Sequence, residues 1–248
     1  MDLGRALADM RMVWRRDREI LIAVAGAFIF LPTLALLLLV PEAPQSPGAG
    51  AGEADMSIFI DAYVGWVSAN LRWFGLAALV TLYGALTLYC LYLDRQCEDV
   101  RMALTRALAL LPRYALASLI VLVPATVGAL AFLVPGLYVL GRTMLIGPAL
   151  VAEKPLVAVA SVLRSVALTR RNGLSLLAVA TLGLLAGQFL PAPFLAIDEG
   201  LRAAGAANPI VVLLLDSAAA AMSAVVAVSI ILIRIAIYRQ LSTGQLGR

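Results

Sequence analysis

Two charges stand inside apolar runs of this chain, and their type and position demand a chemical explanation. Arg142 lies within Leu137 to Ala152, and Asp216 lies within Ile210 to Ile237. A lone charge at the centre of a bilayer costs roughly 2.5–3.5 kcal/mol on insertion scales, and a partner of opposite sign lowers that cost. Arg142 falls seven residues after Pro135, and Asp216 falls seven after Pro209, in spans read as running the same way. An Arg142–Asp216 ion pair inside the bundle is therefore expected. Ala220, Ser223 and Ala227 follow Asp216 at helical spacing, and small side chains there admit a second helix. Two roles stay open: a scaffold pair holding helices together, or a binding point for an anionic lipid headgroup or solute. Beyond Gln188 and Arg72 no other polar group is read at that depth, which favours the scaffold.

Other chemistry is thin. The chain has no histidine, so the commonest general base and the commonest transition-metal ligand are missing. Cys90 and Cys97 are the only cysteines, and are expected as thiols rather than a disulfide. The adjacent acids Glu98-Asp99 and Asp198-Glu199 read as solvated loop residues. No Gly-rich phosphate loop followed by Lys is present, and no set of nucleophile, base and oxyanion donors assembles. The sequence therefore argues for a protein that is not an enzyme, with no cofactor, no metal site and no nucleic-acid partner.

Composition says what must position the two charges. Of 248 residues, 62% are hydrophobic and 14% charged, and the mean hydropathy is +0.97. Soluble domains carry roughly 25% charge. The reading is an all-α, polytopic membrane protein. Six spans are expected at about 20–40, 66–93, 115–134, 137–152, 173–190 and 210–237. The first is read as an uncleaved span, because its apolar run exceeds the roughly 7–15 residues of a signal peptide core. Pro32 is expected to kink it. Gly141, Gly147 and Pro148 are expected to bend the fourth. Gly183 and Gly187 have GxxxG spacing, which permits close helix packing.

Three amphipathic interfacial helices are expected at about 2–16, 98–111 and 155–169, each leading through a basic turn into a span. The plan suggests a threefold helical-hairpin repeat. Pro41 to Asp55 and Pro191 to Ala207 read as exposed loops. Residues 1–19 carry five bases, 94–113 four, 153–172 four and the tail two, whereas the opposite loops carry only Arg202. That asymmetry places both termini in the cytoplasm of a bacterial inner membrane protein. Anionic headgroups on the cytoplasmic face are the expected partners of the basic helices, alongside protein partners or further copies of the chain.

The centre of the chain carries a recognisable pattern. Val134-Pro135-Gly136-Leu137-Tyr138 with Arg142, Pro148 and Glu153, then Arg164-Ser165 and Leu168-Thr169-Arg170, resembles the glycerophosphoryl diester phosphodiesterase membrane-domain family over about forty residues. The resemblance implies a multi-span bacterial membrane domain and singles out Pro135, Gly136, Tyr138, Glu153, Ser165 and Arg170. In some members such a domain precedes a catalytic phosphodiesterase domain. No such domain is read here, so the resemblance implies no hydrolysis. Together these readings favour membrane organisation or lipid and envelope handling, with a small transporter holding its site near Arg142 and Asp216 as the alternative.

Overall fold

A computed structural model describes residues 2–48, 50, 52–153, 156–206 and 208–246, with side chains through residue 242. Lys154, Pro155 and Ala207, which fall in the expected turn, third surface helix and second loop, lie outside the described residues.

The N-terminal amphipathic helix is α1, Leu3–Arg16, capped by Asp2, whose carboxylate accepts from the Arg5 amide. It lies across the end of the last helix rather than alone on the surface. The Asp2 amide donates to Gln240 Oε1 at 3.1 Å, and Gln240 Nε2 donates to the Asp2 carbonyl at 3.1 Å. The two ends of the described chain thus meet on one face, called the terminal face below.

The first span is α2, Arg18–Ala25, a π-helical turn at Gly26–Phe30, and α3, Leu31–Leu39. Pro32 has no amide proton to return to Phe28, and the Leu31 amide reaches back five residues to the Gly26 carbonyl. The expected kink is therefore a π-bulge. It seats Phe28 against Gly84, where an added Cβ would come within 2.5 Å of the Phe28 Cβ.

The second span is longer than expected. Helix α4 runs from Glu53 to Leu93, 41 residues or about 62 Å at 1.5 Å per residue, so it begins well before Trp66 and takes in the last three residues of the expected loop, Glu53 to Asp55. Helix α5, Val100–Ala131, likewise joins the expected second surface helix, the Pro112 turn and the third span in one rod. Pro112 removes one backbone hydrogen bond without ending the helix, which packs on its neighbours along its length. The reversal falls at Phe132, a single extended residue, and not at Pro135-Gly136. Those two sit in the first turn of α6, Leu133–Thr143, where proline costs little. Gly136 is obligatory there for a different reason: an added Cβ would lie 2.6 Å from the Ala129 amide nitrogen.

The fourth span breaks as expected. Pro148 cannot bond to Met144, and the chain restarts as α7, Ile146–Ala152. The third surface helix is α8, Ala158–Leu168. The fifth span is α9, Gly173–Phe189. It is followed by α10, Ala192–Ala203, where a loop was expected. The last helix, α11, runs Pro209–Leu246, and the Asn208 side chain caps it by accepting from the Ile210 amide at 2.9 Å.

Among the described residues, six helical segments are long and apolar enough to cross a membrane: Arg18–Leu39, Glu53–Leu93, Val100–Ala131, Leu133–Ala152, Gly173–Ala203 and Pro209–Ser242. The described elements are helical throughout. Buried side chains of α2, α4, α5, α7 and α11, among them Leu86, Tyr89, Leu150 and Ile235, form the main core. A second cluster joins Ala6, Leu145, Leu168, Leu176 and Ile237 near the terminal face. The perimeter is apolar too, with Leu130 82% and Leu174 81% exposed. A bundle that turns such side chains outward requires lipid around it. The chain is thus an all-α, multi-pass membrane protein.

Candidate functional site

The expected Arg142–Asp216 pair does not form, and each charge has other partners. Arg142 leaves the end of α6 and reaches the last turn of α8. Its Nη2 donates to the Val166 carbonyl at 2.7 Å and its Nη1 to the Thr169 carbonyl at 3.3 Å. A cation at a helix C-terminus satisfies orphan carbonyls and meets the negative end of the helix dipole. The reasoning by depth failed because equal spacing from a proline does not fix equal depth: Arg142 meets the end of α8, whereas Asp216, near the start of α11, meets α10.

Around that break the family-pattern residues act as a latch. Ending α6 frees the Arg142 carbonyl and the Leu145 amide. Ser165 Oγ donates to the first at 2.9 Å and accepts from the second at 3.2 Å. Thr169 Oγ1 lies 3.2 Å from the Arg142 carbonyl and shares its single proton with the nearer Ser165 carbonyl at 2.8 Å. Buried backbone groups are thereby satisfied without helix. Tyr138 lies beneath the Arg142 guanidinium, 5.8 Å from its ring centre, and packs on Gly173, where a Cβ would stand 3.2 Å from the ring. Glu153 completes the latch: Arg164 Nε donates to it at 2.6 Å and the Tyr238 hydroxyl at 3.0 Å. Arg170 is exposed at the adjoining turn. Pro135 and Gly136 serve the α5–α6 crossing instead. This arrangement positions helices.

Asp216 lies at the other face. Its neighbour is Arg202 of α10, with Nη2 4.0 Å from Asp216 Oδ2. Arg202 Nε lies 2.8 Å from Asp198 Oδ2 and 3.3 Å from Glu42 Oε1. Asp216 is 2% exposed and Asp198 8%. The sequence reading missed Asp198 and Arg202 by treating Pro191 to Ala207 as a loop. Their i, i+4 spacing was the available signal, because helix is the conformation that brings such a pair together.

These charges form the floor of a groove of about 1370 Å³ between α3, α4, α10 and α11. Leu36, Leu39, Val212 and Leu213 supply apolar walls, and Trp66 and Phe74 an aromatic one. Residues 41–46 form one rim, held by a 2.8 Å hydrogen bond from Trp66 Nε1 to the Pro41 carbonyl. That part of the expected loop is therefore wall rather than linker. The lining holds four carboxylates, Glu42, Asp198, Glu199 and Asp216, against the Arg202 guanidinium. The groove is acidic, so it disfavours the anionic ligand considered for Asp216. Toward the terminal face α11 is packed shut by buried Ala220, Ala224, Val228 and Ile231.

The remaining polar expectations divide. Gly183 approaches Ile230 of α11, with 3.1 Å to an added Cβ, whereas Gly187 faces open space, so the GxxxG pair does not act as a unit. Arg234 turns inward to the Tyr89 hydroxyl at 3.5 Å. Cys90 and Cys97 are thiols, not a disulfide.

No family model, no curated protein and no solved structure matches this chain.

Proposed function

We propose that the protein is a non-enzymatic membrane protein that handles lipid, through the groove between α3, α4, α10 and α11. One observation carries the reading: the groove joins apolar walls on spanning helices to a charged floor at Asp198, Arg202 and Asp216. That union of greasy side and charged end is the shape of an amphiphile. The positive-inside asymmetry supports cytoplasmic termini in a bacterial inner membrane, with the groove toward the other side. The arginines of α1, of the start of α5 and of α8 would then lie against anionic lipid on the cytoplasmic leaflet. The resemblance to the glycerophosphoryl diester phosphodiesterase membrane-domain family belongs to the same proposal, with the latch at Arg142, Glu153 and Ser165 as its structural core. Protein partners or further copies of the chain would assemble around this unit.

A transporter is the second reading, and the access to Asp216 from one face favours it. The closed packing of α11 beyond Asp216 weighs toward a holding site instead. The test is to purify the full chain in mild detergent and identify what stays bound by mass spectrometry. Retention of lipid in a fixed ratio to protein supports lipid handling. A chain that retains none, yet moves a solute across proteoliposomes, would replace it with transport.

A further inference from the structure

The groove floor holds two buried carboxylate oxygens that the described residues do not satisfy. Among the described residues, Asp198 Oδ1 and Asp216 Oδ2 have no hydrogen-bond partner, and both residues line the groove. Arg202 does not relieve them. It hydrogen-bonds the other oxygen of Asp198, and its 4.0 Å separation from Asp216 exceeds hydrogen-bond length. An ionised buried acceptor without a donor is costly, so two facing one groove mark a place where donors are missing.

We propose that the missing donors are the N–H groups of a primary ammonium, carried on the headgroup of a zwitterionic phospholipid. The inference rests on the lipid-handling reading above and adds headgroup chemistry to it. An ammonium offers three donors, enough for both oxygens. The phosphate of the same headgroup meets Arg202, whose side chain is 37% exposed and so keeps donor edges accessible. The acyl chains lie along Leu36, Leu39, Val212 and Leu213.

Three comparisons narrow the ligand. A quaternary ammonium has the charge but no N–H, so it leaves both oxygens unsatisfied. The wall of Trp66 and Phe74, with ring centres 5.3 Å apart, attracts either kind of cation and does not discriminate between them. A headgroup with phosphate alone brings a net negative charge to four carboxylates and one guanidinium. A soluble amine would satisfy the floor but leave the apolar walls in water.

The experiment uses the full chain, delipidated in neutral detergent and offered equal amounts of phosphatidylethanolamine, phosphatidylcholine and phosphatidylglycerol with identical acyl chains. Native mass spectrometry reads which is retained. The expected result is a preference of about tenfold or more for phosphatidylethanolamine, the size expected when hydrogen bonds to a charged group are lost. Asp216→Asn is expected to bring that preference close to unity, and Glu98→Gln, exposed and outside the groove lining, to leave it in place. A series of mono-, di- and trimethylated phosphatidylethanolamine on the unmodified chain needs no variant, and retention is expected to fall with each donor removed. Equal retention of all three lipids, or a flat methylation series, overturns the ammonium inference and leaves lipid handling standing. Retention of no lipid overturns both. Displacement of bound lipid by soluble ethanolamine at matched concentration overturns the lipid as the source of the ammonium.

Discussion

Replacing Arg142 by Met separates the latch from the ion pair that spacing suggested. The substitution keeps the length and apolar stem of the side chain and removes the guanidinium. Two hydrogen bonds to the carbonyls of Val166 and Thr169 are lost, and the end of α8 is uncapped. Hydrogen bonds to charged groups contribute about 1.5–3 kcal/mol each, and the 3.3 Å contact is the weaker, so the expected loss is about 3 kcal/mol. The assay is reversible unfolding of the purified chain in mixed micelles, with denaturing detergent as the titrant. A double-mutant cycle then decides the partner. Arg142→Met with Asp216→Asn is expected to be additive within about 0.5 kcal/mol, as for distant sites, because neither side chain contacts the other. Arg142→Met with Thr169→Val is expected to show coupling of about 0.5 kcal/mol or more, because Thr169 bonds the Arg142 carbonyl and presents its own to the guanidinium. Coupling to Asp216 with none to Thr169 would refute this placement of Arg142.

Other substitutions test other contacts. Gly136→Ala drives a methyl onto the Ala129 and Ala125 backbone; the same unfolding assay is expected to show a loss of about 1–3 kcal/mol. Gly187→Ala points into open space, and is expected to stay within about 0.5 kcal/mol of the parent. Glu153→Gln removes the charge paired with Arg164, and a loss of about 1 kcal/mol is expected in that assay, modest because both side chains are partly solvated. Arg16 hydrogen-bonds Asp17 and holds its carboxyl below the usual carboxylate range. The contact therefore stabilises the fold above the ordinary carboxylate pKa, and the contribution fades as pH falls through the lower folded value. The stability difference between the parent and Asp17→Asn is accordingly expected to shrink in acid.

What could be read from residues alone was set by how local its cause is. Six spans follow from apolar runs, and α1 from its amphipathic spacing, because burial against lipid acts on each segment separately. Pro32 and Pro148 announced their disruptions because a missing amide proton is a local fact. Pro112 misled, since packing on neighbouring helices decides whether a proline ends a helix. The same limit governed the charges. Equal spacing from a proline was taken as equal depth, but α6 and α11 start against different neighbours, and Arg142 meets α8 while Asp216 meets α10. Asp216 was singled out correctly as a buried charge, yet its charged neighbours, Asp198 and Arg202, come from α10. These meet it only through tertiary packing. The close approach at Gly136 was also illegible as packing, since its partners Ala125 and Ala129 have no distinguishing side chain.

The groove is tested most directly by a cryo-electron microscopy structure of the full chain in nanodiscs formed from its own membrane lipids. The expected density is one lipid between α3, α4, α10 and α11, with its headgroup on Asp198, Arg202 and Asp216 and a chain along Leu36 to Leu39. A groove closed by residues 41–46, or holding only water while ordered lipid lies elsewhere, would contradict the assignment.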